Sequence, residues 1–279
     1  MIVDAHCHIF PESFSQRRAE LASQDATFAV LFSNPKSRLA TTAELIQAMD
    51  RDGVDLSVVM GMGWTSQDIS GEVNDFLIQA RQEHPNRLVG FCSVNPARGS
   101  QAAREIRRCI EAGLRGVGEL HPDTQGFDIT SKTLMKPVMM VAHELGAPVV
   151  IHASEPVGHS YAGKGSTTPD KLYRFIQNFP ENDIICAHWG GGLPFYMLMP
   201  EVNKALRNVY FDTAVSPLLY QKQVFATAAS LAGPDKILLG SDYPLVPHSR
   251  LARELHDSGL EPEAKKAILG ENAVRLLKL

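Results

Sequence analysis

The residues able to do chemistry in this sequence stand at the ends of short apolar runs. The first run is Val3-Asp4-Ala5-His6-Cys7-His8-Ile9. Strand alternation would put Asp4, His6 and His8 on one face and Val3, Ala5, Cys7 and Ile9 on the other. Two imidazoles one pleat repeat apart can grip one metal ion. Four later runs end the same way: Val117-Gly118-Glu119-Leu120-His121, Val149-Val150-Ile151-His152, Ile185-Cys186-Ala187-His188 and Leu239-Gly240-Ser241-Asp242. Each has a bland reading by itself: a hydrogen-bonded structural histidine, a salt-bridge glutamate, a turn aspartate ahead of Pro244. Burying several imidazoles and two carboxylates together is different, because without a cation each group loses its hydration uncompensated. A divalent metal removes that cost.

The donor set narrows the metal. His6, His8, Glu119, His152, His188 and Asp242 offer imidazole nitrogen and carboxylate oxygen. Strand parity turns Cys7 away, so no thiolate competes. Such a set suits Zn(II), with Mn(II), Fe(II) or Co(II) as alternatives, and either one ion or two. A site with an open coordination position makes bound water reactive near neutral pH. Asp242 beside that water would take its proton and pass it to a leaving group. His188 is either a ligand to a second ion or a free acid/base.

Substrate contacts are less sharply marked. His121 lies one pleat beyond Glu119. The loop Gly158–Gly165 has glycine hinges and polar tips, His159 among them, as a lid would. Trp64 and the stretch Phe10–Ala40 are placed to shape a pocket, and Arg17, Arg18 or Arg38 could meet a substrate carboxylate. His84, His143 and His256 fall on helices and read as structural. Met135, Met139 and Met140 read as helix core.

Eight strand–helix units must position these groups. Leu56–Met60 reads as a buried strand, preceded by a helix that opens at Thr41-Thr42-Ala43-Glu44 and stops at Gly53. The same alternation continues through strands near Arg87–Val94, Leu114–Leu120, Pro148–His152, Asp183–His188, Asn208–Asp212 and Lys236–Ser241. Helices lie between them, including Thr133–Leu145 and one from Phe195 to Leu206 bent near Pro200. Phe10–Ala40 reads as long and irregular. Eight apolar strands each followed by a helix predict an α/β fold: a single (β/α)8 TIM barrel over residues 1–279, with its active site at the C-terminal strand ends. An open doubly wound sheet would ordinarily carry a Gly-rich phosphate turn, and no G-x-G-x-x-G follows a strand here.

Composition excludes other classes. The 279 residues carry 27 Lys and Arg against 31 Asp and Glu, a net charge of -4 that disfavours a nucleic-acid or anionic-membrane surface. No apolar run reaches the roughly 18 residues of a membrane span, and no signal peptide is expected ahead of the first strand. The four cysteines are scattered singly, as buried thiols in a reducing cytoplasm would be.

His6-Cys7-His8, His152, the run Ala187-His188-Trp189-Gly190-Gly191-Gly192 and Gly240-Ser241-Asp242-Tyr243-Pro244 together resemble the amidohydrolase superfamily. Tyr210-Phe211-Asp212-Thr213 and Glu271-Asn272-Ala273-Val274-Arg275-Leu276-Leu277 are similar to the branch that includes aminocarboxymuconate-semialdehyde and resorcylate decarboxylases. The resemblance covers nearly the whole chain. It implies that His6, His8, His152 and Asp242 hold one metal while His188 assists catalysis. Glu119 departs from that branch. It stands where binuclear members place a bridging carboxylate, and Gly118-Glu119 is similar to TatD-type hydrolases. A homodimer is compatible with the resemblance.

Four readings follow as expectations. The first is a metal-dependent hydrolase of a small amide, ester or lactone. The alternative is a metal-dependent nonoxidative decarboxylase of a small aromatic or unsaturated acid. A TatD-like nuclease is disfavoured by the charge balance, and a catalytically silent metal-stabilised scaffold is the non-enzymatic reading.

Overall fold

The computed structural model describes residues 1–279. Strands β1 (Val3–His8), β2 (Leu56–Met60), β3 (Leu88–Cys92), β4 (Gly116–Leu120), β5 (Val149–Ile151), β6 (Ile184–Cys186), β7 (Val209–Asp212) and β8 (Ile237–Leu238) form one parallel sheet in sequential order. The sheet closes on itself. Ala5 N–H donates to the Leu239 carbonyl at 2.6 Å, and Asp242 N–H donates to the His6 carbonyl at 2.8 Å. The seam therefore ties the backbones of two candidate site residues directly. With helices between the strands, this is the (β/α)8 TIM barrel.

Local chemistry accounts for the elements. Thr41 and Glu44 form a reciprocal capping box at the start of the helix Thr42–Asp52, and Gly53 ends it in the left-handed conformation at φ 73°. Inside the barrel, Val3, Ala5, Val58, Met60, Phe91, Val150, Ile185 and Leu238 fill the floor beneath the strand ends. Cys7, Val59 and Leu88 pack outward against the helices.

That sorting corrects the expected parity of β1. Asp4 pairs with Ser57 and Cys7 with Val59, so three steps on β1 match two on β2. The extra residue is a β-bulge. Ala5 and His6 both turn inward, and Asp4 joins Cys7 on the outer face instead of sharing a face with His6 and His8. A second bulge lies in β4, where Val117 pairs with Val149 but Leu120 with Ile151. Gly118 takes φ 138° there, and a Cβ would stand 2.7 Å from Val150 Cβ, so only glycine fits.

Three expected elements and one core residue differ. Phe10–Ala40 is built from short helices at Ser13–Gln16, Arg18–Gln24 and Ala26–Phe32. The segment after β6 winds through positive φ from Trp189 to Gly192, and the regular helix covers only Pro200–Ala205. β8 is two residues long, because Leu239 to Asp242 bends away to build the site. Met135 and Met139 are buried as expected, but Met140 is 58% exposed on the outer face of its helix. No helix is long and apolar enough to cross a membrane.

Candidate active site

At the C-terminal strand ends the fold gathers His6, His8, Glu119, His152, His188 and Asp242, all buried. His6 Nε2 and His8 Nε2 are 3.1 Å apart. Asp242 Oδ1 lies 3.2 Å from His8 Nε2 and 4.0 Å from His6 Nε2. Glu119 divides its oxygens. Oε2 stands 3.8 Å from both His6 Nε2 and His8 Nε2. Oε1 stands 3.0 Å from His152 Nδ1 and 3.2 Å from His188 Nε2.

The far nitrogen of each imidazole fixes what the near one can be. His6 Nδ1–H donates to Asp212 Oδ2 at 2.8 Å and His8 Nδ1–H to the Met60 carbonyl at 3.1 Å. His152 Nε2–H donates to the Gly163 carbonyl at 3.2 Å, and His188 Nδ1–H to the Ala214 carbonyl at 3.4 Å. Carbonyls and carboxylates only accept, so four neutral rings would all point lone pairs into one small volume. Lone pairs facing each other at 3.1 Å repel unless a cation lies between them. The donors thus fit a divalent metal, and outward partners of this kind are the usual means of orienting metal-binding histidines.

Electrostatics agrees. Burial alone would lower the pKa of His6, but Asp212, then Glu119 and Asp242, raise it to about 10. Burial likewise opposes the shift at His188, and Glu119 with the two aspartates raises it to about 9. Glu119 is held well below the usual carboxylate range, against its burial, by His152, His188 and His6. The site draws in positive charge. Burial pushes the Cys7 and Cys186 thiols up, so no thiolate is offered.

Two of these residues sit in strained backbone. His188 has φ 55° and Asp242 φ 61°, a left-handed conformation costing a non-glycine residue of order 1 kcal/mol. The turn at each strand end swings the side chain back over the barrel mouth. Beside His188, a Cβ on Gly191 would stand 2.3 Å from the Ser154 carbonyl oxygen, which allows the β5 and β6 loops to approach.

Above this floor lies a cavity of about 330 Å³. Phe10, Leu31, Phe32, Met62, Val215 and Leu219 supply apolar wall, His121, His159 and Tyr161 polar wall, and Arg38 is the one Lys or Arg side chain in the lining. Arg38 sits over the Tyr243 ring at 5.6 Å. A larger cleft of about 890 Å³ lies elsewhere, around Met1, Arg87 and Leu279, and no histidine lines it.

The structure sorts the weaker candidates. His121 and His159 line the cavity. Trp64 does not: it is fully buried behind the wall, against Phe10, Phe28 and Phe32. Arg17 is taken up by Glu72 and Glu20, and Arg18 by the carbonyls of Phe32, Asn34 and Ser37. Sequence reasoning quoted Asp212 only as part of a family-like run. It holds His6 through Oδ2 and the His188 N–H through Oδ1, at 2.9 Å. An aspartate ending an apolar strand was the available signal. Asp4, expected beside the histidines, instead accepts from the His6 and Ser241 N–H groups at 3.1 and 2.9 Å and bonds His248 from the outer face.

A family model described as Amidohydrolase matches residues 3–279. The chain belongs to the amidohydrolase family. It is 28% identical over 273 residues to the 2-amino-3-carboxymuconate-6-semialdehyde decarboxylase of Dictyostelium discoideum, covering 84% of this chain and 76% of that one. It is 25% identical over 292 residues to the 6-methylsalicylic acid decarboxylase of Penicillium expansum, covering 90% and 87%. A solved 5-carboxyvanillate decarboxylase from Novosphingobium aromaticivorans, complexed with manganese and 4-hydroxy-3-methoxy-5-nitrobenzoic acid, shares the fold. Its TM-score is 0.82 at 19% identity, over 100% of this chain and 96% of that one. This is the branch that the quoted motifs resemble, and the amidohydrolase is an enzyme with a place for a divalent metal.

Proposed function

We propose that residues 1–279 form one metal-dependent barrel that decarboxylates a small aromatic or unsaturated carboxylic acid without redox chemistry. This was the alternative at the level of sequence, behind hydrolysis. The relatives' names favour it, and the observation that carries it is the cavity. A largely apolar chamber with one guanidinium, above a floor of imidazoles and carboxylates, suits a flat ring bearing a carboxylate better than a peptide-like amide.

His6, His8, Glu119, His152, His188 and Asp242 would hold the metal, manganese or zinc by donor type. When bound, it supplies positive charge that fixes substrate oxygens and steadies negative charge developing on the ring. Arg38 steers the anionic acid into the mouth. The apolar wall excludes water and holds the ring with its carboxyl-bearing carbon over the floor. Breaking the bond to the carboxyl group releases CO2 and leaves the electron pair on the ring carbon, which takes a proton. One proton is taken up per turnover. Asp242 Oδ1, at the floor beside His8 and held below the ordinary carboxylate range by His8 and His6 against its burial, would receive it from solvent and pass it to that carbon, with His188 Nε2 beside Glu119 as the second acid/base group.

A metal-dependent hydrolase is the second reading. It is favoured by Glu119, whose oxygens face two separate histidine pairs as a carboxylate bridging two ions would. A panel of hydroxybenzoates and short unsaturated acids, assayed for CO2, set against esters, lactones and amides assayed for acid release, tests the proposal. CO2 from an acid supports it. Acid release from the second set with no CO2 from the first would replace it by hydrolysis.

A further inference from the structure

His121 carries a polar atom that nothing in the protein uses. Its ring is buried, 1% exposed, in the cavity wall just past β4. Two contacts fix it. It stacks on His152 with centroids 3.9 Å apart and planes 12° from parallel. Its Nδ1 accepts the Thr124 backbone N–H at 3.5 Å, capping the short helix Pro122–Gln125. A nitrogen that accepts carries no proton, so in the neutral ring the proton belongs on Nε2. Nε2 has no partner, although it is buried. The nearby Gly163 carbonyl is already taken by His152 Nε2–H at 3.2 Å. An unpaired buried N–H is costly, and of the four unpaired buried side-chain atoms in the protein this one alone belongs to a residue lining the cavity.

We propose that His121 is a specificity-determining residue: its Nε2–H is a fixed donor for an acceptor oxygen carried on the substrate ring, separate from the carboxyl group that reacts. The proposal rests on the aromatic-acid reading. The reacting carboxyl group must lie at the floor, between Asp242 and His188. His121 stacks on His152 but belongs to neither group of converging donors, so the oxygen it meets is a ring substituent. A site built to hydrogen-bond a substrate oxygen rejects the analogue that lacks it, because the donor is then left buried and unpaired.

The test is calorimetric binding of benzoate and its 2-, 3- and 4-hydroxy isomers to the manganese-loaded protein. Two variants accompany it. His121→Asn keeps an acceptor for the helix cap but withdraws the donor from the cavity. His121→Phe keeps the stacked ring and removes the donor. Both should retain the wild-type metal content, since His121 is no ligand. In the wild type at least one hydroxy isomer should bind about tenfold or more tightly than benzoate. That ratio should shrink to about twofold or less in either variant, with benzoate affinity little changed. An unaltered ratio in the folded variants overturns the inference and leaves the decarboxylase reading standing. Equal wild-type binding of benzoate and every isomer also overturns it. If no acid binds at all, the aromatic-acid reading fails and the inference goes with it.

Discussion

His6 Nδ1 lies 2.8 Å from Asp212 Oδ2, linking β1 to β7 past the intervening β8. The bond fixes the tautomer that frees His6 Nε2, and the other Asp212 oxygen holds the His188 backbone at 2.9 Å. One carboxylate thus aligns residues from two sides of the site. Asp212→Asn should weaken metal affinity about 10–100-fold while leaving all six inward donors in place. Competition against a chelator of known affinity measures this. An affinity within about twofold of wild type would show that Asp212 does not orient the site.

Asp242 is the group placed to move the proton. Asp242→Asn should keep most of the bound metal and lose turnover by about 10²-fold or more. Metal analysis and CO2 release on the same preparation check both halves. Near-normal turnover would contradict the role.

Arg38 should act on binding. Its guanidinium is free of any close ion pair, with Glu44 no nearer than 3.9 Å. Arg38→Ala is expected to raise KM about tenfold with kcat changed far less, and the loss should be greatest at low salt. An equal fall in kcat would place Arg38 in the chemical step instead.

The loop after β5 is pinned from β4's side. Asp123 accepts from the Ser166 N–H and hydroxyl at 2.8 and 2.7 Å and from the Thr167 hydroxyl at 2.8 Å. Burial opposes it, yet these bonds hold the Asp123 carboxyl below its ordinary value. A carboxyl lowered by folding adds stability above its unfolded pKa of about 3.9 and loses it as pH falls through the folded value. Asp123→Ala should therefore lower Tm by about 2–4 °C at pH 7, with the gap closing below about pH 4. A gap that does not narrow at all as pH falls below about 4 would mean that the bonds do not depend on the charge.

The barrel was legible in the sequence because each strand is a short apolar run that ends at a polar residue. The six inward donors were legible for the same reason: they occupy equivalent strand ends. What stayed hidden is local irregularity. The bulge between Asp4 and Cys7 adds one residue, which reverses the parity of everything before it and sends Asp4 outward to His248. Alternation cannot reveal a bulge in β1, since either face of that run could be called buried. Trp64 was misjudged for a related reason. Proximity in sequence to a strand end does not say whether a side chain turns toward the cavity or behind its wall, and here three phenylalanines hold it behind. The helices within 10–40 were masked by their brevity, since segments of four to seven residues carry little helical period.

Everything chemical here depends on four imidazoles and two carboxylates converging as the donors of a divalent-metal site. Titrating metal-free protein with Mn2+ by calorimetry, beside His6→Ala and His8→Ala, tests that convergence directly. The account predicts at least one equivalent bound per wild-type chain, protons released as it binds, and saturable binding lost in both variants. Wild-type protein that takes up no divalent ion, or variants that bind as well as it does, would contradict the account.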